Sequence, residues 1–313
     1  MSSEVSQEFC ARITHELREP LAGTAPSTRN LVFITWPKRL WERDALTSGG
    51  GFPNSLAEDM HLWSAQVGKV TIRLITNGAV SSEFCEVLIF PENVRYTQVL
   101  PSALSSILSA HFSSEPIRSQ EPILKPQVMV CTHGKYDKCC AKFGGEVVRT
   151  LRLLNEKHGG PLDIWESSHL GGHRFAGTLL TFPQGRAYGY LRPEQMEDWL
   201  EHTLSGRVYG PGLRGSLWLE GIEQVAEAFA HQIRAEQQWN LTPQVEHIEE
   251  ISAQERKVSL SLSTDSSTSS SPAGILELVL HLTEFVGPKG CDALEAPESR
   301  MRWTLTDSSW SFG

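Results

Sequence analysis

Two short stretches of this chain hold the residue types best able to do chemistry. One runs Cys131-Thr132-His133-Gly134-Lys135-Tyr136-Asp137-Lys138-Cys139-Cys140, the other His169-Leu170-Gly171-Gly172-His173. Between them, Cys131, Cys140, His169 and His173 offer two thiolates and two imidazoles. A set of that kind holds either a zinc ion or a [2Fe–2S] cluster.

Spacing bears on the choice. Structural zinc sites space paired cysteines about two to four residues apart. Eight residues separate Cys131 from Cys140, which is long for a zinc knuckle and better suited to a larger centre. Gly134 lets such a loop fold over and present backbone N–H groups to sulfur. Cys140 opens a helix, whose positive end favours a thiolate. Cys139 stands beside it as the alternative register.

Consecutive glycines between His169 and His173 make a helix improbable there and favour a loop close to a bulky core. Cys131-Thr132-His133 matches the first half of a Rieske motif. The second half, Cys-X-X-His, is absent, which leaves His133 as a reserve donor. A zinc protease is excluded, because no Glu follows His169. Taken singly, each residue reads as an ordinary buried thiol or polar histidine; convergence on two loops makes the site.

The elements that must position these loops follow from hydrophobic periodicity. An entry helix and a Pro/Gly loop lead to a strand at residues 31–36, a helix at 54–66, strands at 70–76, 84–90 and 95–100, and a helix at 102–112. The Ser48-Gly49-Gly50-Gly51 run lacks the Lys-Ser/Thr of a phosphate-binding loop and reads as plain loop. A polar, proline-bearing linker spans 114–126. The order then repeats, with a strand at 127–131, a helix at 142–157, strands at 162–166, 176–182 and 187–191, and a helix at 193–204.

A βαβ unit followed by ββα is the thioredoxin order. The expected fold class is therefore α/β, with two thioredoxin-like domains in tandem, residues 1–120 without a centre and 121–205 with it. A small α+β appendage, 206–313, follows, with a helix at 219–237, alternating strands at 244–251, 257–262 and 275–282, and a last edge strand carrying Trp303 and Trp310. The Ser/Thr-rich stretch 264–271 is expected to be a hairpin loop. Cys-X-X-Cys is absent, so dithiol exchange of the thioredoxin kind is not expected.

Composition sets the outer bounds. A net charge of −9 argues against a general nucleic-acid binder and suits docking on a basic partner. The first twenty residues contain no apolar run of signal or membrane type, and the expected location is cytoplasmic. Three of the six cysteines crowd into ten residues, a distribution that points to metal or redox chemistry in a reducing compartment rather than to disulfides.

Several of these residues together resemble the sucrase/ferredoxin-like family, relatives of the thioredoxin-like [2Fe–2S] ferredoxins. The likeness rests on Cys131-Thr132-His133-Gly134, Asp137, Cys140 and the run His169 to Gly177, the last being its most specific part. Glu19 to Ala25 and Arg214-Gly215 add to it. The resemblance implies one [2Fe–2S] cluster on Cys131, Cys140, His169 and His173, in an electron carrier rather than a catalyst, served by a redox partner protein. Neutral imidazoles in place of thiolates would raise its potential and couple electron to proton transfer. Tyr136 is a departure, because members often carry Arg before the Asp. No carboxylate pair supports sugar cleavage. The competing reading is a structural Cys2His2 zinc module that serves interaction.

Overall fold

The computed structural model describes residues 9–44, 46, 52–53, 55–78, 80–81, 83–113, 120–264 and 273–312. The glycine run at 48–51, residues 114–119 of the linker and residues 265–271 of the serine-rich loop lie outside them. In chain order the N-terminal half holds α1 (Cys10–Glu16), β1 (Asn30–Thr35), α2 (Ser55–Val67), β2 (Val70–Thr76), β3 (Cys85–Phe90), β4 (Val94–Val99) and α3 (Leu104–Phe112). The middle holds β5 (Gln120–Pro122), β6 (Gln127–Cys131), α4 (Gly145–Lys157), β7 (Asp163–Ser167), β8 (Leu179–Phe182), β9 (Arg186–Tyr188) and α5 (Met196–Leu204). Last come β10 (Leu213–Ser216), α6 (Gly221–Glu236), β11 (Leu241–Ser252), β12 (Glu255–Thr264), β13 (Gly274–Pro288) and β14 (Pro297–Phe312).

β1 and β6 are buried along their whole length, as strands covered on both faces must be. Each pairs in parallel with the strand that follows its crossover helix, β1 with β2 and β6 with β7. Each also pairs antiparallel with the next strand, β1 with β3 and β6 with β8. The two halves thus repeat one pairing scheme. They are not separate sheets: β2 and β7 pair antiparallel at Ile75–Ser167 and Thr76–Glu166, giving one ten-stranded mixed sheet.

This sheet is strongly curled. Four strand spacings separate β8 from β1, which in a flat sheet would be about 19 Å. Yet the Phe33 and Phe182 ring centroids are 5.5 Å apart, and Phe90 stacks on Phe182 at 4.0 Å. One hydrophobic cluster therefore joins Leu31, Phe33 and Phe90 of the first half to Met129 and Phe182 of the second, and Cys131 and Cys140 lie within it. Opposite faces carry their own cores, Val32 and Ile34 with Trp63 on one side, and Val130 with Leu151 and Trp199 on the other.

The C-terminal segment gives its first strand, β10, to the edge of the large sheet beside β9. Periodicity passed over this strand because Leu213-Arg214-Gly215-Ser216 alternates neither way, and the three-residue β5 is shorter still. β9 is also shorter than expected, since Tyr190 takes a positive φ of 55° and turns the chain. β11 to β14 form a separate antiparallel sheet in sequence order, with β11 and β14 its two outer strands. Val225, Ala226, Ala230 and Ile233 of α6 cover the face that carries Val258, Leu260, Leu276 and Leu278. No helix among the described residues is long and apolar enough to cross a membrane.

His231 of α6 is buried with neither ring nitrogen hydrogen-bonded among the described residues. Burial, then Arg186 and Arg234, push its pKa well below the usual histidine value. The unfolded chain takes up a proton at about pH 6.5 that the folded chain refuses. Stability contributed by neutral His231 is therefore present above that pH and lost as pH falls, by up to about 1.4 kcal/mol per unit. Urea unfolding of His231→Leu should show a shallower loss of stability below about pH 6.5 than the native chain shows.

Candidate metal centre

β6 delivers Cys131 to the end of the sheet. Its N–H donates to the Thr178 carbonyl at 3.0 Å, and the N–H of Thr132 donates to that of Ser167 at 3.1 Å. The chain then turns on itself, with the Tyr136 and Asp137 N–H groups donating to the His133 carbonyl. Cys140–Gly144 makes one π-helical turn leading into α4, a wide turn that recurs at functional sites. Gly144 is the reason the turn fits: a Cβ there would lie 1.9 Å from the Cys131 carbonyl oxygen. Gly144→Ala should push the turn off β6 at a cost of about 1–3 kcal/mol. Urea unfolding and metal content of the purified variant measure both effects.

The second loop leaves β7 toward the first. Ser168 ties it to the N-terminal half, its N–H donating to the Leu74 carbonyl at 2.8 Å and its hydroxyl accepting from the Leu74 N–H at 3.0 Å. The His169 N–H donates to His133 Nδ1 at 3.3 Å. Gly171 and Gly172 take φ values of 85° and 76°, the left-handed region that favours glycine. A Cβ on Gly172 would lie 2.6 Å from Nη2 of Arg214. That buried arginine donates to the Gly171 carbonyl and to Thr24 Oγ1, each at 3.1 Å. Glu19, with no exposed side chain, accepts from Arg174 at 2.9 Å and from Arg302 at 2.7 Å, and Arg300 stands 3.6 Å away. The Glu19–Ala25 loop and Arg214 are thus braces for the histidine loop.

The two loops bring Cys131, Cys140 and His169 together, with their donor atoms all within 4.8 Å of one another. Cys140 Sγ is 3.9 Å from His169 Nδ1. His173 stands next to this group, its ring centroid 5.3 Å from that of His169. Its Nε2 lies 2.8 Å from the Lys289 carbonyl. A carbonyl only accepts, so Nε2 carries a proton, and in the neutral ring the lone pair is on Nδ1. That Nδ1 is buried with no hydrogen-bond partner among the described residues. His133 directs Nδ1 to the His169 backbone instead. Cys139 faces the other way, toward Cys10 and Cys291.

A soft metal needs thiolate and neutral imidazole. The Cys140 thiol hydrogen-bonds to Cys131 and, with help from His169, holds Cys131 well below the usual thiol range. The same pairing, together with burial, raises Cys140. One negative charge is thus shared between the two sulfurs of this pair. Burial lowers His169 and keeps it neutral. Tyr136 stacks on His169 with ring centroids 3.5 Å apart and planes 10° from parallel. A cleft of about 480 Å³ lined by Arg43, Arg73, His133 and Tyr136 reaches this imidazole. The Tyr136 phenol thus covers the histidine face, and Arg43 stands 5.8 Å over the Tyr136 ring.

Residues 21–215 match the sucrase/ferredoxin-like family. The chain belongs to that family. Among curated relatives, altered inheritance of mitochondria protein 32 of Debaryomyces hansenii is 28% identical over 92 residues, covering 28% of this chain and 34% of that protein. The protein of the same name from Clavispora lusitaniae is 27% identical over 100 residues, covering 31% of this chain and 37% of that protein. The sucrase/ferredoxin-like chain therefore spans little more than a third of the length of these relatives. Among solved structures, a thioredoxin-like [2Fe–2S] ferredoxin from Aquifex aeolicus has 16% identity and a TM-score of 0.27, covering 28% of this chain and 89% of that one. Its wild-type structure at higher coverage, 95% of that chain, gives 17% identity and a TM-score of 0.26.

Proposed function

We propose that this chain is an electron carrier holding one [2Fe–2S] cluster through Cys131, Cys140, His169 and His173. One observation carries the reading: two buried cysteines and a neutral imidazole converge while the adjacent His173 keeps a buried, unpartnered Nδ1. A single tetrahedral zinc would need all four donors within about 3.8 Å of one another. Here the fourth lies outside the group of three, which suits a larger, two-iron core. Such a cluster supplies one-electron transfer. The protein's part is to keep the two thiolates dry, fix the imidazoles and shield them with Tyr136.

The finer arrangement belongs to the same proposal. Residues 1–120 would be a thioredoxin-like unit without a centre, 121–205 the unit that carries it, and 206–313 the segment that closes over it. The electron is exchanged with a partner protein, and the chain works in a reducing, cytoplasmic setting that keeps its six cysteines unpaired. The outer N–H of His173 is held by the Lys289 carbonyl, so proton release on oxidation falls to His169, which borders the cleft.

Anaerobically purified protein should be red-brown, with about two iron and two sulfide per chain. Colourless protein containing zinc in their place would overturn the reading. The potential should fall with rising pH by about 59 mV per unit once His169 releases its proton, and the slope should vanish in His169→Cys. A potential independent of pH in the native protein would sink the proton coupling.

A further inference from the structure

Behind the first centre, Cys139 meets two cysteines that are distant in sequence. Its sulfur lies 3.1 Å from that of Cys291 and 3.5 Å from that of Cys10, and the Cys10 and Cys291 sulfurs are 3.5 Å apart. Asp137 joins them, with Oδ2 4.0 Å from Cys10 Sγ. The four donor atoms lie within 4.8 Å of one another. The carboxylate is oriented from outside, Oδ1 accepting the Cys139 N–H at 2.8 Å and Oδ2 the Cys291 N–H at 3.0 Å. The Cys10 N–H donates to Cys291 Sγ at 3.4 Å. Phe9, Ala11, Phe143, Ala176 and Leu294 enclose the group.

Three sulfurs at nearly equal spacing suit one central ion better than a disulfide, which would draw two together to about 2.05 Å and leave the third aside. Tetrahedral zinc with zinc–sulfur bonds of about 2.3 Å sets sulfur–sulfur edges near 3.8 Å. The observed spacings need only small side-chain adjustments to reach that. Three thiolates and a carboxylate, with backbone N–H groups bonded to sulfur and carboxylate, form the donor set and outer shell of a closed structural zinc site.

We propose that Cys10, Cys139, Cys291 and Asp137 bind a structural zinc ion, at a centre distinct from the one built on Cys131 and Cys140. Binding forms three zinc–sulfur bonds and one zinc–oxygen bond, and the protons still held by the thiols go to solvent; nothing is oxidised or reduced. The ion ties the N-terminal segment and the loop after β13 to residues 137–140. That loop also carries Lys289, whose carbonyl accepts from His173, and Gly290, where a Cβ would lie 2.9 Å from His173 Nε2. The zinc thereby fixes one wall of the first centre.

The test is elemental analysis of the full chain, produced with zinc supplied and purified under reducing conditions. Native protein should hold about one zinc per chain in addition to any iron. Cys10→Ser and Cys291→Ser should each lose it at least tenfold while iron and colour persist, and Cys85→Ser, at a buried cysteine elsewhere, should keep it. Cobalt substitution provides a second reading: thiolate–cobalt absorption in native protein, lost in Cys291→Ser, whose side chain is the least buried of the three. If the first centre itself held zinc, native protein would contain two ions and each replacement would remove one, so failure of the cluster reading leaves this one standing. Native protein without zinc, zinc unaffected by both replacements, or a Cys139–Cys291 disulfide in the reduced-purified chain would overturn it.

Discussion

Cys140→Ser should fold and lose its colour, while Cys139→Ser should keep it. The two cysteines are neighbours in sequence but open onto opposite sides of the same turn. Cys140 Sγ faces His169 Nδ1 at 3.9 Å and shares its proton with Cys131, whereas Cys139 Sγ touches Cys10 and Cys291. A serine hydroxyl is a hard, weakly acidic donor and replaces a thiolate poorly at a soft centre. Loss of an outer-shell partner already weakens metal sites by about 10–100-fold, so removing Cys140 should lower iron content by at least about tenfold. Cys139→Ser should retain iron and visible absorption while losing the neighbouring zinc. Iron, sulfide and absorption of the two variants side by side decide the register; bleaching by Cys139→Ser alone would reverse it.

Glu19→Ala should cost about 3–5 kcal/mol of stability. The carboxylate has no exposed surface and meets Arg174, Arg300 and Arg302, all largely buried. Removing it leaves Arg174 and Arg302 without this counter-ion and Arg300 with Glu298 alone, at 3.6 Å, and uncompensated buried charge is among the most expensive defects a fold can carry. Glu19→Gln keeps the shape and part of the hydrogen bonding, so it should be less damaging. Arg174 follows His173 directly, and Arg302 belongs to β14. Loss of Glu19 therefore loosens the histidine loop and the C-terminal sheet together, and the Ala variant should also lose metal. Urea unfolding with parallel metal analysis measures both; a loss below about 1 kcal/mol would show that the arginines find other partners.

The repeated pairing scheme was legible because each half carries its own local signals: a buried apolar run, an amphipathic crossover helix and a proline or glycine turn. The curl of the shared sheet was not, because the Phe33–Phe182 and Phe90–Phe182 contacts join residues more than ninety positions apart. β10 was missed for a related reason. Arg214 and Gly215 sit in a strand to brace the histidine loop and to let Gln224 approach, where a Cβ on Gly215 would lie 2.6 Å from its side chain. Their identities answer to tertiary contacts rather than to strand periodicity.

By itself the sequence determined the candidate donors of the first centre, because cysteines nine positions apart and histidines four apart on glycine-bearing loops are a local pattern. Only the tertiary structure decided what each side chain faces. Whether Cys139 or Cys140 turns toward His169 depends on a π-helical turn that Gly144 permits against Cys131. The meeting of Cys10, Cys139 and Cys291 depends on chain segments up to 281 residues apart being folded onto one another. Spacing along a chain specifies a loop's reach, but direction and long-range convergence arise from packing.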